Sequence, residues 1–399
     1  MIKSYKVMLV ANKSQRTRLF QFAGTARFAY NWALRREIDA YEAGEKFINN
    51  FDLRKEFTLL RNCAEYSWLR TISNNVTKQA IRDCVDAYQR FFKKQSSKPR
   101  FKSKRRGDFS FYQPNDKIQI TASHVKLEAI ATSKKRNKQK LNWFRLAEYG
   151  RIPVGVKYKE PRITFDGLNW WLSVAVEFES EIHKPQGKPL GIDLGIKNLA
   201  TCSDGTIYPN INRTKTVRIL KNKQRRLQRS ISRKYTMNGE GKGYSKTQNI
   251  VKSEQKLLRI HHRLAKIRLN YRHQITSFLV RREPSLIVLE DLNVRGMMSN
   301  RHLAKSVQEQ DFYDFRRQIE YKAQWIGITV VIADRYYPSS KTCIVCGNVK
   351  KNLRLSERIY HCEECGNEID RDLQAAMNLK RYPFVSGKFK PVERHNKRK

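Results

Sequence analysis

Two Cys-x-x-Cys pairs, Cys343/Cys346 and Cys362/Cys365, constrain this chain more than any other feature. A Cys-x-x-Cys turn presents two thiolates to one ion, and two such turns complete the tetrahedral shell of Zn²⁺. Each pair is followed by a glycine, Gly347 or Gly366, which permits the tight turn that aims backbone amides at sulfur. A closed four-thiolate site leaves no open position for chemistry, so the predicted zinc is structural, one ion holding a ribbon over about residues 338–369. A redox dithiol would need only one pair. His361 reads as a neighbour of the site. Cys63, Cys84 and Cys202 are scattered and read as buried small apolar residues.

The chain has 399 residues, with 81 Lys+Arg against 37 Asp+Glu and a formal charge of +44. That length predicts two or three domains. Hydrophobic residues at 40% and aromatics at 11% exclude a disordered polycation. The charge argues against a neutral metabolite enzyme and for a polyanionic partner, nucleic acid. No apolar run of about 18 residues occurs and no hydrophobic segment follows Met1, so no membrane partner is expected. The predicted location is cytoplasmic, with the nucleoid as the place of action.

Alternation in residues 1–10 predicts a strand, and Ser14 precedes a helical pattern through Leu34. A second helix is predicted from about Val76 to Lys94, making residues 13–95 mainly helical. The basic segment from Lys98 to Arg106 carries Pro99 and the aromatic Phe101, and reads as a nucleic-acid-facing connection. Its Arg100, Phe101, Lys102 and Lys104 are candidate contacts, as are Lys134, Lys135 and Arg136 in the basic loop from Ser133 to Lys140. Strands are predicted at Ile118/Ile120, Val125/Leu127, Val154/Val156, Ile163/Phe165 and Trp171 to Phe178, giving a small β-barrel or curled sheet. Beyond Gly187 come a strand at Leu190 to Leu194, a second at Leu199 to Ser203, and a third after Asp204-Gly205. Two basic helices should then fold back on each other around Asn238 to Gly243, with Val217, Leu220, Leu227 and Ile231 on one and Leu257, Ile260, Leu264, Ile267, Tyr271 and Phe278 on the other. The uninterrupted apolar strands Leu286–Leu289 and Ile328–Ala333, with a helix between, imply a parallel or mixed sheet covered on both faces.

In so basic a chain, Asp193 inside Leu190-Gly191-Ile192-Asp193-Leu194 needs a partner, because burying a lone carboxylate costs several kcal/mol. Glu290 closes an apolar strand in the same way, and Asp372 stands near a predicted helix start. Two or three carboxylates converging on hard divalent cations can serve an in-line phosphodiester displacement. Asp291 and Asp370 are the alternative acids.

The segment Gly191-Ile192-Asp193-Leu194-Gly195-Ile196-Lys197-Asn198-Leu199-Ala200 resembles the first RuvC motif of the transposon-encoded TnpB family. Val288-Leu289-Glu290-Asp291-Leu292-Asn293 resembles the second, and Asp370-Arg371-Asp372-Leu373-Gln374-Ala375-Ala376-Met377-Asn378-Leu379 the third. Tyr321-Lys322-Ala323, Tyr337-Pro338-Ser339-Ser340-Lys341-Thr342-Cys343, Arg27-Phe28-Ala29-Tyr30-Asn31 and Pro99-Arg100-Phe101-Lys102-Ser103 also resemble family segments, in the family's order. One departure is Gln374, where the family usually has Asn.

The resemblance implies a multidomain α+β protein: an RNase H-like (RuvC) α/β nuclease domain with a zinc-ribbon insertion, an oligonucleotide-binding-like wedge β-barrel and a helical recognition lobe. The corresponding boundaries are 1–12 for the first barrel strand, 13–105 for the lobe, 106–185 for the rest of the barrel, and 186–399 for the nuclease with its basic tail at about 384–399. The implied catalytic acids are Asp193, Glu290 and Asp372, holding two Mg²⁺ ions. The implied activity is RNA-guided cutting of double-stranded target DNA beside a short adjacent motif, with a structured guide RNA from a transposon end. The particle is expected to be a monomeric ribonucleoprotein, and Gln79 is a candidate reader of the adjacent motif. The alternatives are a compact type V CRISPR-like effector using a crRNA and an RNA-guided repressor that binds without cutting.

Overall fold

The computed structural model describes residues 1–128, 142–179, 185–240, 243–354 and 356–387. Lys134, Lys135, Arg136 and the tail from Lys388 lie outside the described residues. The chain divides into two units, Met1–Glu179 and Ser180–Lys399.

In the first unit, strand β1 (Ile2–Val10) leads into helices α1 (Lys13–Glu42), α2 (Asn50–Asn62) and α3 (Asn74–Phe92), with a 3-10 segment at Ala64–Thr71. Helix α1 is capped by Asn12 rather than by the expected Ser14. Asn12 accepts from the Gln15 amide at 2.8 Å while the Gln15 side chain accepts from the Asn12 amide at 3.0 Å. This reciprocal capping box satisfies two end groups that a serine further along would leave open. Leu19, Phe22, Ala26, Ala29 and Ala33 form the buried stripe of α1, and share one core with Val76, Ala80, Ile81, Cys84 and Tyr88 of α3.

Six further strands complete this unit: β2 (Ser110–Tyr112), β3 (Gln119–Ile120), β4 (His124–Lys126), β5 (Trp143–Leu146), β6 (Tyr158–Phe165) and β7 (Trp170–Glu177). With β1 they form an antiparallel sheet in the order β2-β6-β7-β1-β5-β4-β3. Among the described residues its hydrogen-bonded order ends at β2 and β3, whereas a barrel would join its ends. The expected strand at Val154/Val156 is absent. Both valines are exposed, at 51% and 38%, and Gly155 between them has φ of +75°, which breaks an extended run. Cys63 is exposed, unlike the buried Cys84 and Cys202, because it ends α2 at the surface.

Glu37 of α1 is only 2% exposed, and its Oε1 has no hydrogen-bond partner. Burial pushes its carboxyl up to about 7, against the opposing Ile48 amide. The folded chain therefore holds a proton that the unfolded chain gives up near 4.5, so stability falls as pH rises from 4.5 to 7. Glu37→Gln should raise the melting temperature at pH 8, by the equivalent of roughly 3 kcal/mol, and leave it nearly unchanged at pH 4.5. Thermal melts of variant and parent at the two pH values check this.

The second unit holds a five-stranded mixed sheet in the order β10-β9-β8-β13-β14. Its strands are β8 (Leu190–Leu194), β9 (Asn198–Cys202), β10 (Ile207–Pro209), β13 (Leu286–Glu290) and β14 (Thr329–Ala333), with β13 parallel to both β8 and β14. Between β10 and β13 run α4 (Lys215–Met237), a two-strand clasp of β11 (Gly239–Glu240) and β12 (Gly243–Tyr244), and α5 (Gln248–Arg281). Val217, Leu220 and Leu264 join α4 to α5. Phe278 is 55% exposed instead of lying on that stripe; Ile275 and Leu279 are buried in its place.

Helices α6 (Val294–Ser299), α7 (Ala304–Gln310) and α8 (Phe312–Ile326) precede β14. After β14 come β15 (Ile359–His361), β16 (Glu368–Asp370) and α9 (Arg371–Val385). Strand β13 explains its unbroken apolar run. Ile287 and Leu289 pack with Ile275 of α5 and Phe315 and Ile319 of α8, whereas Leu286 and Val288 pack with Leu379 and Tyr382 of α9. Both faces of the sheet are thus covered.

Candidate nuclease site

Period-two alternation decides where the acids point. Ile192 pairs with Leu289 in parallel register, so the next positions, Asp193 and Glu290, stand side by side at the C-terminal ends of β8 and β13. They share the face of Leu286 and Val288, the face covered by α9. Asp372 lies in the first turn of that helix. All three acids line one cleft of about 540 Å³, at the strand ends where open α/β sheets bind ligands.

Gly191, two residues before Asp193, is what lets α9 lie this close. A Cβ there would overlap the Ala376 carbonyl oxygen and stand 2.5 Å from the Lys380 amide nitrogen. Gly191→Ala should force α9 away from β8, costing about 3 kcal/mol or more of stability. A denaturant titration showing less than about 1 kcal/mol would mean that α9 does not seat there.

Burial, then the charges of Glu290 and Asp372, push the Asp193 carboxyl well up, and only Arg371 opposes them. Burial likewise raises Glu290, against its hydrogen bond with Asp193. The alternative acids are engaged elsewhere. Asp291 pairs with Arg316 at 3.2 Å and Arg335 at 2.7 Å. Asp370 caps α9, accepting from the amides of Asp372 at 2.9 Å and Leu373 at 3.0 Å. Gln374 is fully buried, with its Nε2 donating to the Ser340 carbonyl at 3.5 Å and its Oε1 unpartnered. Asn378, one turn on, donates to the carbonyls of Ser339 at 2.8 Å and Thr342 at 2.6 Å, tying α9 to the segment that enters the cysteine turns.

The sulfur atoms of Cys343, Cys346, Cys362 and Cys365 lie within 4.8 Å of one another. Cross pairs Cys343–Cys365 and Cys346–Cys362 stand at 3.6 and 3.5 Å, close to the ~3.8 Å edge of a tetrahedron with 2.3 Å metal–sulfur bonds. Gly347 and Gly366 have φ of +78° and +71°, as the knuckle turns require. Burial opposes ionisation of Cys343, but the amides of Cys346 and Val345 outweigh it and bring the thiol down to about 6. His361 faces Glu368 at 3.2 Å.

The other predicted contact residues are placed differently from one another. Arg100 and Lys104 are exposed and Phe101 is 37% exposed. Lys102 turns inward, with its Nζ 3.8 Å from the centre of the Tyr30 ring and its backbone clipped to the Asn31 amide group at 2.8 and 2.9 Å. Gln79 donates to Asp83 at 2.9 Å, and Arg162 holds the same carboxylate with two bonds of 2.7 and 2.9 Å. Sequence reading missed this Asp83–Arg162 pair, which joins α3 to β6, because nothing local signals a partner 79 residues away. No described helix is long and apolar enough to cross a membrane.

Three family descriptions match the chain: "Helix-turn-helix domain" (OrfB_IS605) over residues 1–46, "Probable transposase" (OrfB_IS605) over 173–301, and "Cas12f1-like, TNB domain" over 312–379. An Escherichia coli (strain K12) protein named "Putative RNA-guided DNA endonuclease InsQ" is 29% identical over 395 residues, covering 95% of this chain and 91% of that one. The chain belongs to the TnpB family. A Streptomyces pristinaespiralis relative named "Putative RNA-guided DNA endonuclease" is also 29% identical, covering 94% of this chain and 88% of its own length. The TnpB-type chain described here shares its multidomain α+β fold with Cas12f1 in a complex with sgRNA and target DNA. The TM-score is 0.56 at 15% identity, over 92% of this chain and 82% of that one. Residues 1–46, despite the first description, contain β1 and one uninterrupted helix.

Proposed function

We propose that this chain is an RNA-guided DNA endonuclease that uses one RuvC-type site and a guide RNA derived from a transposon end. The observation that carries the proposal is the pairing of Asp193 with Glu290 at adjacent parallel strand ends, facing Asp372 on the helix that covers them. The activity in the names of the relatives, and the guide and target in the Cas12f1 complex, support the same reading.

The acids fit Mg²⁺. They are hard oxygen donors, and the raised Asp193 and Glu290 carboxyls mark a site whose repulsion a cation relieves. Among the described residues, only the cysteines place three or more metal-competent groups within 4.8 Å of one another. That the acids hold a pair of ions is what the family resemblance implies. Bound there, two Mg²⁺ ions would activate water and offset the charge that develops on the phosphate. Asp193, Glu290 and Asp372 would hold them. Lys197, Arg213, Arg335, Arg358 and Arg371 line the same cleft and would grip the flanking phosphates. The four thiolates fit one structural Zn²⁺. In this reading residues 13–105 form the recognition lobe, residues 1–12 with 106–185 the wedge domain, and residues 186–399 the nuclease.

The test is to purify the protein with its bound nucleic acid, sequence that RNA, and challenge the particle with plasmid carrying the matched target. A defined RNA ending at a transposon boundary and Mg²⁺-dependent cutting of the matched plasmid are expected. A particle without a defined RNA, or one that cuts matched and unmatched plasmid alike, overturns the proposal.

A further inference from the structure

The helical part of the first unit carries a cleft of about 770 Å³ that its own core does not explain. Phe28 and Trp32 of α1 line it together with Tyr66 and Trp68 of the 3-10 segment. Trp68 packs edge-on to Phe28, with centroids 5.2 Å apart, yet remains 44% exposed. Leaving so large a ring in water is a cost unless something covers it.

Two further observations say what covers it. Gly24 also lines the cleft, in the middle of a 30-residue helix, where glycine is unfavourable relative to alanine. Apart from its chain neighbours and the backbone of its own helix, no atom lies within 4 Å of where its Cβ would be, so packing does not require a glycine there. The open backbone suits a flat group arriving from outside. Beside it, Arg27 buries its Nη1 with no hydrogen-bond partner. Arg35 stands over the Phe101 ring at 5.3 Å, at the edge of the same cleft. Arg35 also meets Asp39 at 3.9 Å and Arg27 stands over the Phe109 ring at 5.4 Å, so the unpartnered donor here is Arg27 Nη1. Aromatic faces beside guanidinium groups are the pairing that holds an unpaired nucleotide, base against ring and phosphate against cation.

We infer that this cleft binds a single unpaired nucleotide, its base stacked at Trp68 over Gly24 and its phosphate held by Arg27 and Arg35. The inference deepens the nucleic-acid-binding half of the proposed function and is independent of cleavage.

The full chain, stripped of nucleic acid, is titrated at about 0.3 M salt, where purely ionic contacts are weakened. The probes are short single-stranded DNA and RNA oligonucleotides carrying 2-aminopurine, whose fluorescence is quenched on stacking. Trp68→Ala should lose the quenching and bind about five- to a hundredfold more weakly. Gly24→Ala should raise the melting temperature, as alanine does in a helix, and still weaken binding about fivefold or more. A merely structural glycine would not show that opposition. Tyr149→Ala, at an 82% exposed position in a turn, is the control that should match the parent. Tighter binding of the RNA probe assigns the nucleotide to the guide, and tighter binding of the DNA probe assigns it to unpaired target. If Gly24→Ala binds and quenches like the parent, the inference is wrong, whether or not Trp68→Ala folds and whether or not the particle cuts DNA.

Discussion

Asp193→Ala should leave guide RNA and target DNA bound while slowing DNA cleavage at least a thousandfold, a loss of about 4 kcal/mol of barrier lowering. The size follows from position. Asp193 is flanked by Glu290 in the neighbouring parallel strand and lines the same cleft as Asp372, so its loss removes the central member of the proposed set. Single-turnover cleavage with saturating particle measures the chemical step apart from binding. Two further substitutions sharpen the result. Asp370→Ala removes the α9 cap and should cost about 1 kcal/mol of stability. Asp291→Ala releases Arg316 and Arg335. Neither should approach the loss at Asp193. A thousandfold effect at Asp370 or Asp291, with a mild one at Asp193, would move the site to those acids.

Removing the proposed zinc from the cysteine cluster should be nearly as severe. A structural zinc contributes on the order of 10 kcal/mol to the folding of its module at neutral pH. Here the module stands directly before the third acid: Asp370 ends β16, and Arg371 opens α9. Asn378 further ties α9 to Ser339 and Thr342 beside the first cysteine turn. Cys362→Ser should therefore lose one equivalent of zinc and lower cleavage at least a hundredfold, though Cys362 is no part of the cleft. Elemental analysis and cleavage assays on the same preparation check both. Full zinc loss with unimpaired cleavage would show that the ribbon does not position Asp372.

What could be read from the sequence follows physical range. The strand Leu286–Glu290 announced itself because both its faces are buried, and the cysteine turns because four thiolates at that spacing have few uses. The convergence of Asp193 and Glu290 needed strand register, which the sequence does not contain by itself; the family resemblance supplied it. The surface was harder to read. Val154 and Val156 alternate like a strand, but the left-handed Gly155 between them is invisible to a count of apolar residues. Phe278 kept the helical spacing of its neighbours and still faces water, because the stripe on a 34-residue helix drifts. Lys102 read as an outward cation, yet Asn31 fixes its backbone so that the side chain meets Tyr30. The aromatic cleft had no local signature, since Phe28 and Trp68 are brought together only by tertiary packing.

The seating of α9 on Gly191 also sets a schedule for the chain's own synthesis. β8 is made early in the second unit, but its partner helix and the third acid arrive only near residue 372. At the usual elongation rate of about 5 to 20 residues per second, the first unit has roughly 10 to 40 seconds to fold before the last acid is made. During that interval the growing protein can recruit nucleic acid with its basic surface while lacking an assembled cutting site. A nascent chain of this design is a binder first, and the proposed cutting site can assemble only after residue 372 has been made.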